Sequence, residues 1–164
     1  DKNRLAPIYD RLKRAGARNV QVRQPGPKAL DDLVESMDRV LVDAPCTGTG
    51  VWRRRPDAKW RVTEEALEKR MAEQDGVLQL AAQFLRPGGA LAYATCSVLR
   101  EENADRVAAF LAANPEFRPV PISEAWGDSS FEAPLPSSAD LENALLLTPA
   151  RTQTDGFFFA LMRR

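Results

Sequence analysis

The chain of 164 residues has no histidine and only two cysteines. Without histidine there is no Ser-His or Cys-His catalytic pair and no imidazole zinc ligand. Two cysteines are too few for a thiolate metal cage, so we expect no metal. No apolar run approaches the roughly 20 residues of a membrane span, and no signal peptide opens the sequence. These absences predict a soluble, cytoplasmic protein without a membrane partner, and they leave one cysteine pair to explain.

A net charge is also missing, because 23 basic residues balance 23 acidic ones. The balance is uneven along the chain. Residues 1–61 hold 14 basic and 8 acidic side chains, and residues 62–164 hold 9 basic and 15 acidic ones. An uneven charge distribution of this size fits either an ordinary solvated surface or a basic face for a polyanion. Charge alone does not decide between the two.

Hydrophobic periodicity predicts helices that alternate with strands. Helices are expected over 3–15, 63–85 and 101–113, a weaker helical segment over 29–36, and strands over 20–22, 39–43, 90–95, 117–120, 145–147 and 157–162. Alternation of this kind indicates an α/β fold with a parallel sheet and helices on both faces. Residues 44–62 and 121–142 lack periodicity and predict long loops, which in compact domains are usually functional or disordered.

The two cysteines follow two successive predicted strands. Cys46 comes shortly after Asp43, where one strand ends, and Cys96 directly follows Thr95, where the next ends. Ligands of open α/β sheets collect outside the carboxyl ends of the strands, which favours a functional pair. Two alternatives remain, namely cysteines that only fill the core and a disulfide, which a reducing cytoplasm disfavours.

The glycines near Cys46 give only a weak signal for a phosphate-binding loop, an alternative that stays open. Nothing in the sequence matches G-x-G-x-x-G, and Gly48-Thr49-Gly50 lacks the Lys-Ser/Thr ending of a P-loop. Position 52, where a tyrosine-phosphatase loop needs arginine, is Trp52. The sequence therefore points away from a nucleotide or phosphoester site of a common kind.

Five motifs together identify a family. Asp-Ala-Pro-Cys-Thr-Gly-x-Gly begins at Asp43, Arg-Arg-Pro-Asp-x-Lys-Trp ends at Trp60, and Leu-Arg-Pro-Gly-Gly-x-Leu-x-Tyr-Ala-Thr-Cys-Ser contains Cys96. Glu-Glu-Asn and Thr-Asp-Gly-Phe-Phe-Phe-Ala follow. This order resembles the Sun/Fmu/nucleolar-protein family of RNA cytosine-5 methyltransferases, in particular the bacterial members that modify small-subunit ribosomal RNA. The resemblance covers residues 1–120 and 144–162.

The resemblance implies a Rossmann-like class I methyltransferase sheet and S-adenosylmethionine as cofactor. It implies that Cys96 is the nucleophile that adds to carbon 6 of cytosine, that Cys46 assists breakdown of the adduct, and that Asp43 lies beside the methyl donor and the target base. The chemistry agrees, since carbon 5 of cytosine is a poor nucleophile until a thiolate adds to carbon 6. Such chemistry requires no histidine and no metal.

For the methyl donor, the resemblance implies contacts from Asp1, Asp43 and Pro45. The family's glycine-rich donor loop would precede residue 1, and residues 24–27 replace its Gly-Asp contact to adenine. We therefore expect residues 1–164 to be the C-terminal part of a catalytic domain, truncated before its first strand and cofactor loop. Such a fragment should be weakly active or inactive alone.

A basic segment follows Cys46 and interleaves arginine and lysine with tryptophan. Its predicted RNA contacts are Arg53, Arg54, Arg55, Lys59 and Arg61. Cations that neutralise phosphates beside aromatic rings that stack on bases are typical of RNA-binding surfaces. The alternative is a solvated loop that Trp52 and Trp60 pin to the core. Two other functions also stay open: a different class I RNA methyltransferase, or a non-catalytic RNA-binding fragment.

Overall fold

The computed structural model describes residues 5–24, 26, 28–127 and 142–164. The chain divides into two compact units between Val34 and Glu35. The described residues of the smaller, N-terminal unit include a helix over residues 7–14 and a short 3-10 turn, and the larger unit contains the sheet and both cysteines.

The N-terminal unit begins with helix α1 (Pro7–Arg14), which confirms the centre of the helix predicted over 3–15. Proline suits the first turn of a helix, where its missing N–H has no partner to lose. A 3-10 turn at Asp31–Leu33 replaces the weak helix predicted over 29–36. The strand predicted over 20–22 is wrong: these residues are not paired with any strand in the described part of the chain, and alternation alone does not make a ladder.

The larger unit is built on a five-stranded sheet. Its strands are β1 (Met37–Asp43), β2 (Leu85–Thr95), β3 (Arg118–Val120), β4 (Ala144–Leu147) and β5 (Phe157–Arg163). The order is β1-β2-β5-β3, and β4 also pairs with β5. Every strand predicted in this unit is therefore present, with ends that differ by a few residues.

The sheet is mixed rather than parallel. Strands β1 and β2 are parallel, whereas β5 runs antiparallel to β2, β3 and β4. The expectation of a parallel sheet fails at the C-terminal strands. Between β4 and β5 lies only a short connection with a one-turn helix, and strands joined by so short a connection pair antiparallel.

Strand β2 begins earlier than predicted, at Leu85 instead of residue 90. Its register with β1 jumps from Met37↔Leu85 to Arg39↔Ala90, so the segment of residues 86–89 bulges out of the ladder. Gly88 adopts a φ of +81°, which favours glycine. The Pro-Gly-Gly segment therefore interrupts a strand that resumes beyond it, and the preceding helix ends sooner than residue 85.

In the described part of the larger unit, four α-helices accompany the sheet: α2 (Glu64–Ala82), α3 (Ala104–Ala113), α4 (Ile122–Gly127) and α5 (Pro149–Thr152). Thr63 caps α2 as predicted, because its side chain accepts a hydrogen bond from the N–H of Ala66. Helix α3 starts later than the predicted residue 101, after a 3-10 turn over residues 100–102. Residues 121–142, predicted as a loop, begin with α4, and their residues 128–141 lie outside the described residues.

Helices α2 and α3 cover one face of the sheet. The core joins Leu78 of α2 and Phe110 of α3 to Leu91 and Tyr93 of β2 and to Phe158 of β5. Full burial of each such apolar side chain contributes about 1.5–3 kcal/mol. Strand β2 lies between β1 and β5, and it is parallel to β1. The carboxyl ends of β1 and β2 therefore lie side by side at the same end of the sheet.

Candidate functional site

The two thiols meet at the carboxyl ends of β1 and β2. Asp43 is in register with Ala94, and the N–H of Ala44 donates to the carbonyl of Ala94 at 2.9 Å. Each chain then turns into a loop, which brings the Sγ atoms of Cys46 and Cys96 to 3.4 Å from each other. Both cysteines are free and half-buried. The structure thus places side by side two residues that are 50 positions apart in the sequence.

The two thiols differ in acidity. The hydrogen bond from Cys46 lowers the pKa of Cys96 to about 7, against burial and the charges of Asp43 and Glu102, which raise it. The same hydrogen bond, together with burial and the negative charge on Cys96, raises the pKa of Cys46 well above its ordinary value. Near neutral pH the shared proton therefore stays on Cys46, and Cys96 is available as the thiolate, the nucleophilic form.

Two glycines hold the loops together. The N–H of Gly50 donates to the carbonyl of Cys96 at 2.9 Å, and the N–H of Gly156 donates to the carbonyl of Gly50 at 2.8 Å. A Cβ on Gly50 would lie 2.3 Å from the carbonyl oxygen of Gly156 and 2.7 Å from that of Cys96. Glycine is therefore required here because the backbones approach too closely for any side chain.

A buried carboxylate braces the loop that carries Cys46. One oxygen of Glu102 accepts from the N–H of Thr47 at 2.8 Å and from Nε2 of Gln74 at 3.1 Å, and the other accepts from the hydroxyl of Thr47. Nε2 of Gln74 also donates to the carbonyl of Pro45 at 2.8 Å. Glu102 and Gln74 are both fully buried. Charge-assisted bonds of this kind are among the stronger hydrogen bonds in proteins.

A second group of hydrogen bonds closes the loop after Cys96. The hydroxyl of Thr95 donates to Oδ1 of Asn103 at 2.6 Å, and Nδ2 of Asn103 donates to the carbonyl of Ser97 at 2.9 Å. The hydroxyl of Tyr93 donates to the carbonyl of Glu102 at 2.7 Å. These bonds satisfy polar groups that would be costly to bury alone. The Cys96 loop is therefore fixed by its own strand and turn.

Sequence reasoning missed Glu102 and Gln74. Glu102 is part of the Glu-Glu-Asn motif, but its neighbour Glu101 is exposed and is chemically identical. Gln74 is one of several polar residues along α2. Only the tertiary structure shows which of these side chains points inward.

The predicted donor contacts are only partly within the described residues. Asp43 is exposed at the end of β1, and Pro45 is half-buried one residue before Cys46. Asp1 lies outside the described residues, as do Pro25 and Pro27 of the segment expected near adenine. The structure therefore brings Asp43 and Pro45 together with the thiols and says nothing of Asp1.

The basic segment, residues 52–61, leads away from the thiols along the surface. Arg54 is ion-paired with Asp155, Arg61 lies 2.5 Å from Asp57, and Nζ of Lys59 is 4.5 Å from the ring centroid of Trp60.

The exposure of the basic segment helps to distinguish an RNA-binding surface from a solvated loop that its tryptophans pin to the core. Arg53 and Arg55 are exposed, Trp60 is 78% exposed and Trp52 is 37% exposed. The alternative in which both tryptophans pin the loop to the core is therefore wrong for Trp60. Its ring is open to solvent and can stack on a ligand.

Neither a metal cluster nor a membrane span is found in the described part of the chain. Among residues 5–24, 26, 28–127 and 142–164, no three or more Asp, Glu, Cys or His side chains come together as a metal site would need. No helix in those ranges is long and apolar enough to cross a membrane.

Comparison with known sequences identifies relatives over nearly the whole chain. The family described as "16S rRNA methyltransferase RsmB/F" matches residues 1–163. Ribosomal RNA small subunit methyltransferase B of Klebsiella pneumoniae (strain 342) is 37% identical over 163 residues, which cover 98% of this chain and 34% of the relative. The protein of the same name from Enterobacter sp. (strain 638) is 38% identical over 167 residues, with the same coverage. The chain spans about a third of the length of the curated relatives it matches.

Solved structures show the same fold. A crystal structure described as that of PH0851 matches with a TM-score of 0.85 and 34% identity, over 100% of this chain and 35% of that one. NSun6 from Pyrococcus horikoshii, solved with SFG, matches with a TM-score of 0.78 and 29% identity, over 99% of this chain and 39% of that one. These matches confirm the predicted α/β fold of the Rossmann-like class I methyltransferase type.

Proposed function

The chain belongs to the RsmB/F family of 16S rRNA methyltransferases, and we propose that it takes part in methylating carbon 5 of cytosine in small-subunit ribosomal RNA. In this proposal S-adenosylmethionine is the methyl donor and the thiolate of Cys96 is the nucleophile. The observation that carries it is the thiol pair, whose sulfurs lie 3.4 Å apart at the carboxyl ends of two parallel strands. Neither a packing role nor a purely RNA-binding role requires two half-buried thiols of unequal acidity.

Cys96 begins the reaction. Its thiolate adds to carbon 6 of cytosine, and the electron pair of the 5,6 double bond makes carbon 5 nucleophilic. The exposed carboxylate of Asp43, at the same edge of the sheet, is suited to accept a hydrogen bond from the amino group or the protonated ring nitrogen of the base. Cys96 supports this role because its pKa of about 7 leaves a large thiolate fraction at neutral pH.

S-adenosylmethionine supplies an electrophilic methyl group when it is bound. Asp43 and Pro45 fit such a ligand, because an exposed carboxylate favours the cationic sulfonium and ammonium groups, and the proline ring offers an apolar surface beside it. We assign both residues to donor binding. The part assigned to Asp1 stays a prediction from the family resemblance.

Cys46 completes the reaction by assisting breakdown of the adduct. Its pKa is raised chiefly by the hydrogen bond to Cys96, with burial and the charge on that sulfur adding to it. When Cys96 becomes a neutral thioether on carbon 6, both influences of its sulfur disappear, and the pKa of Cys46 falls. Cys46 can then release its proton to solvent, and its thiolate removes the proton from carbon 5. The electron pair left on carbon 5 re-forms the 5,6 double bond and expels the sulfur of Cys96 as a thiolate. The nucleophile thus activates its partner by reacting.

The basic segment is the proposed RNA contact. Arg53, Arg54, Arg55, Lys59 and Arg61 are all exposed. The exposed ring of Trp60 lies in the same segment and provides a stacking surface. Phosphate contacts set the position of the RNA, while stacking holds bases that have left a helix.

The test is to trap the adduct. Full-length protein is incubated with S-adenosylmethionine and with RNA that carries 5-fluorocytosine, whose carbon 5 has no removable proton, and covalent complexes are resolved on a denaturing gel. We expect a complex with the unmodified protein and with Cys46→Ala, and none with Cys96→Ala. Methylation without any complex would indicate a different class I methyltransferase. RNA binding without methylation would indicate a non-catalytic module, and a complex that survives Cys96→Ala would refute the assignment.

The chain of 164 residues on its own should turn over weakly or not at all. It spans about a third of its curated relatives, and no glycine-rich donor loop is found in its sequence. The measurement is incorporation of a labelled methyl group by residues 1–164 against the full-length protein. Comparable rates would contradict the prediction.

A further inference from the structure

We propose that Glu102 is a positioning residue that holds Cys46 in place for breakdown of the RNA adduct, and that it does so by bracing Thr47. The inference rests on the proposed function and deepens it. It assigns control over the second half of the reaction to a buried glutamate whose carboxylate is hydrogen-bonded to Thr47 and Gln74 rather than to a thiol. Three features of the structure lead to it.

The first feature is the way that the Cys46 loop is held. Thr47 is bound twice by the carboxylate of Glu102, through its N–H and its hydroxyl. Pro45 is bound once, through its carbonyl, by Gln74, and Gln74 also donates to Glu102. The residues on both sides of Cys46 are therefore held by one buried pair of side chains. The position of the Cys46 sulfur follows from these neighbours.

The second feature is the burial of Glu102. A carboxylate withdrawn from water is costly unless its oxygens are satisfied by hydrogen bonds. In this protein the hydrogen-bond donors to Glu102 come from the Cys46 loop and from α2. If the Cys46 loop moved away, the buried carboxylate of Glu102 would lose its hydrogen bonds from Thr47. The cost of breaking these bonds gives the brace its strength.

The third feature is that Cys96 is held by other contacts. It directly follows Thr95, the last residue of β2, and its carbonyl accepts from the N–H of Gly50. The turn beyond it is closed by Asn103. The side chain of Glu102 takes part in none of these bonds. A change at Glu102 or Thr47 should therefore displace Cys46 more than Cys96, and so should slow release of the product more than formation of the adduct.

The experiment uses ordinary RNA, in which carbon 5 keeps its proton, so that a covalent complex accumulates only when breakdown is slow. Full-length protein carrying Glu102→Gln or Thr47→Val is compared with the unmodified protein and with Cys46→Ala. Gln keeps the volume of Glu102 and removes the charge, and Val keeps the shape of Thr47 and removes the hydroxyl. If one variant does not fold, the other still tests the proposal.

We expect both variants, like Cys46→Ala, to accumulate a covalent complex with ordinary RNA. Turnover should fall on the order of 10- to 100-fold, as small misplacements of a reacting group commonly cause. Formation of the complex with 5-fluorocytosine RNA should stay near that of the unmodified protein. Thr47→Ser keeps both bonds to Glu102 and should restore turnover. Glu101→Gln, at the exposed neighbouring position, is the matched control and should behave as the unmodified protein.

Two results would overturn the inference while the proposed function stands. One is normal turnover in both variants with no accumulated complex. The other is a parallel loss of complex formation and of turnover, together with a lower melting temperature, which would assign Glu102 a purely structural role. If the unmodified protein forms no complex with 5-fluorocytosine RNA, the proposed function itself fails, and this inference fails with it. The fluorinated and ordinary RNAs therefore separate the two failures.

Discussion

Residues 44–51 and residues 52–61 are the two halves of one loop, and they are stabilised in opposite ways. The first half, which carries Cys46, is held by Glu102, Gln74 and backbone bonds to the Cys96 loop. The second half, the basic segment, is exposed along most of its length. The boundary lies between Val51, which is buried, and Trp52, which is not.

Under the proposed function, this difference separates two requirements of a reaction on RNA. Thiols that must lie at a fixed distance from a ring atom need a rigid environment, because a small displacement lowers the reaction rate. Cations that meet a flexible polyanion need reach and solvent access, and their exposed ion pairs contribute little to stability. One loop can meet both requirements when its two halves differ in burial. The four sets of substitutions below test this difference between the halves.

The largest effect should come from Gly50→Ala in the first half. The new methyl group would overlap the carbonyls of Gly156 and Cys96, and overpacking of this kind costs about 1–3 kcal/mol. Methylation should be lost as well. Gly76→Ala is the matched control, because nothing lies within 4 Å of its Cβ position and alanine favours a helix. Urea unfolding measures both, and equal stability of the two variants would contradict the rigid first half.

The next effect concerns RNA binding by the second half. Reversal of charge in the double variant Arg53→Glu/Arg55→Glu should weaken RNA binding roughly tenfold at low salt and reduce the slope of log affinity against log salt by about 0.7 per lost phosphate contact. Thermal stability should not change. Arg118→Glu, exposed at the other end of the sheet, is the control. Unchanged affinity at low salt would remove the basic segment from the RNA interface.

A third effect tests the hydrogen bond between the thiols. Alkylation of Cys96 by iodoacetamide should rise with pH through a midpoint near its pKa of about 7, because the thiolate is the reactive form. Cys46→Ala removes the hydrogen bond that lowers this pKa, so the midpoint should move to higher pH. At a pH below both midpoints, alkylation should therefore be slower in Cys46→Ala than in the unmodified protein, because a smaller fraction of Cys96 is ionised. Mass spectrometry of the peptide that contains Cys96 follows the rate, and an unmoved midpoint would show that Cys46 does not tune it.

The smallest effect should come from Arg61→Ala, which removes the ion pair with Asp57. Both side chains are largely exposed, and such pairs contribute at most about 1 kcal/mol. We expect the free energy of unfolding to change by less than about 0.5 kcal/mol. A loss comparable with that of Gly50→Ala would show that the second half supports the fold after all.

The meeting of the cysteines was predictable from the sequence. Asp43 and Thr95 each end an apolar run, and parallel strands that are neighbours bring their carboxyl ends to one edge. The N-cap at Thr63 followed from residue type and position in the same way. Local patterns sufficed in these cases because each depends on a few adjacent residues and one general rule.

Other features depend on contacts that local patterns do not contain. The Pro87-Gly88-Gly89 segment is typical of a break, yet β2 continues through it because Met37 of β1 pairs with Leu85 on its far side. The alternation of Val20 and Val22 is typical of a strand, yet no described strand pairs with them. Glu102 is buried and Glu101 is not, although the two are adjacent and identical in kind. In each case partners far along the chain decide the outcome.

The position of β5 in the sheet has a consequence for how the protein is made. It is the last of the described strands to be synthesised, yet it pairs with β2, β3 and β4, and the glycine before it supports the loop of Gly50. A nascent chain that ends before residue 156 therefore lacks the partner that Gly50 needs, and contacts so distant in sequence form slowly. During translation both cysteines therefore emerge before the strand and the glycine that complete the packing around their loops.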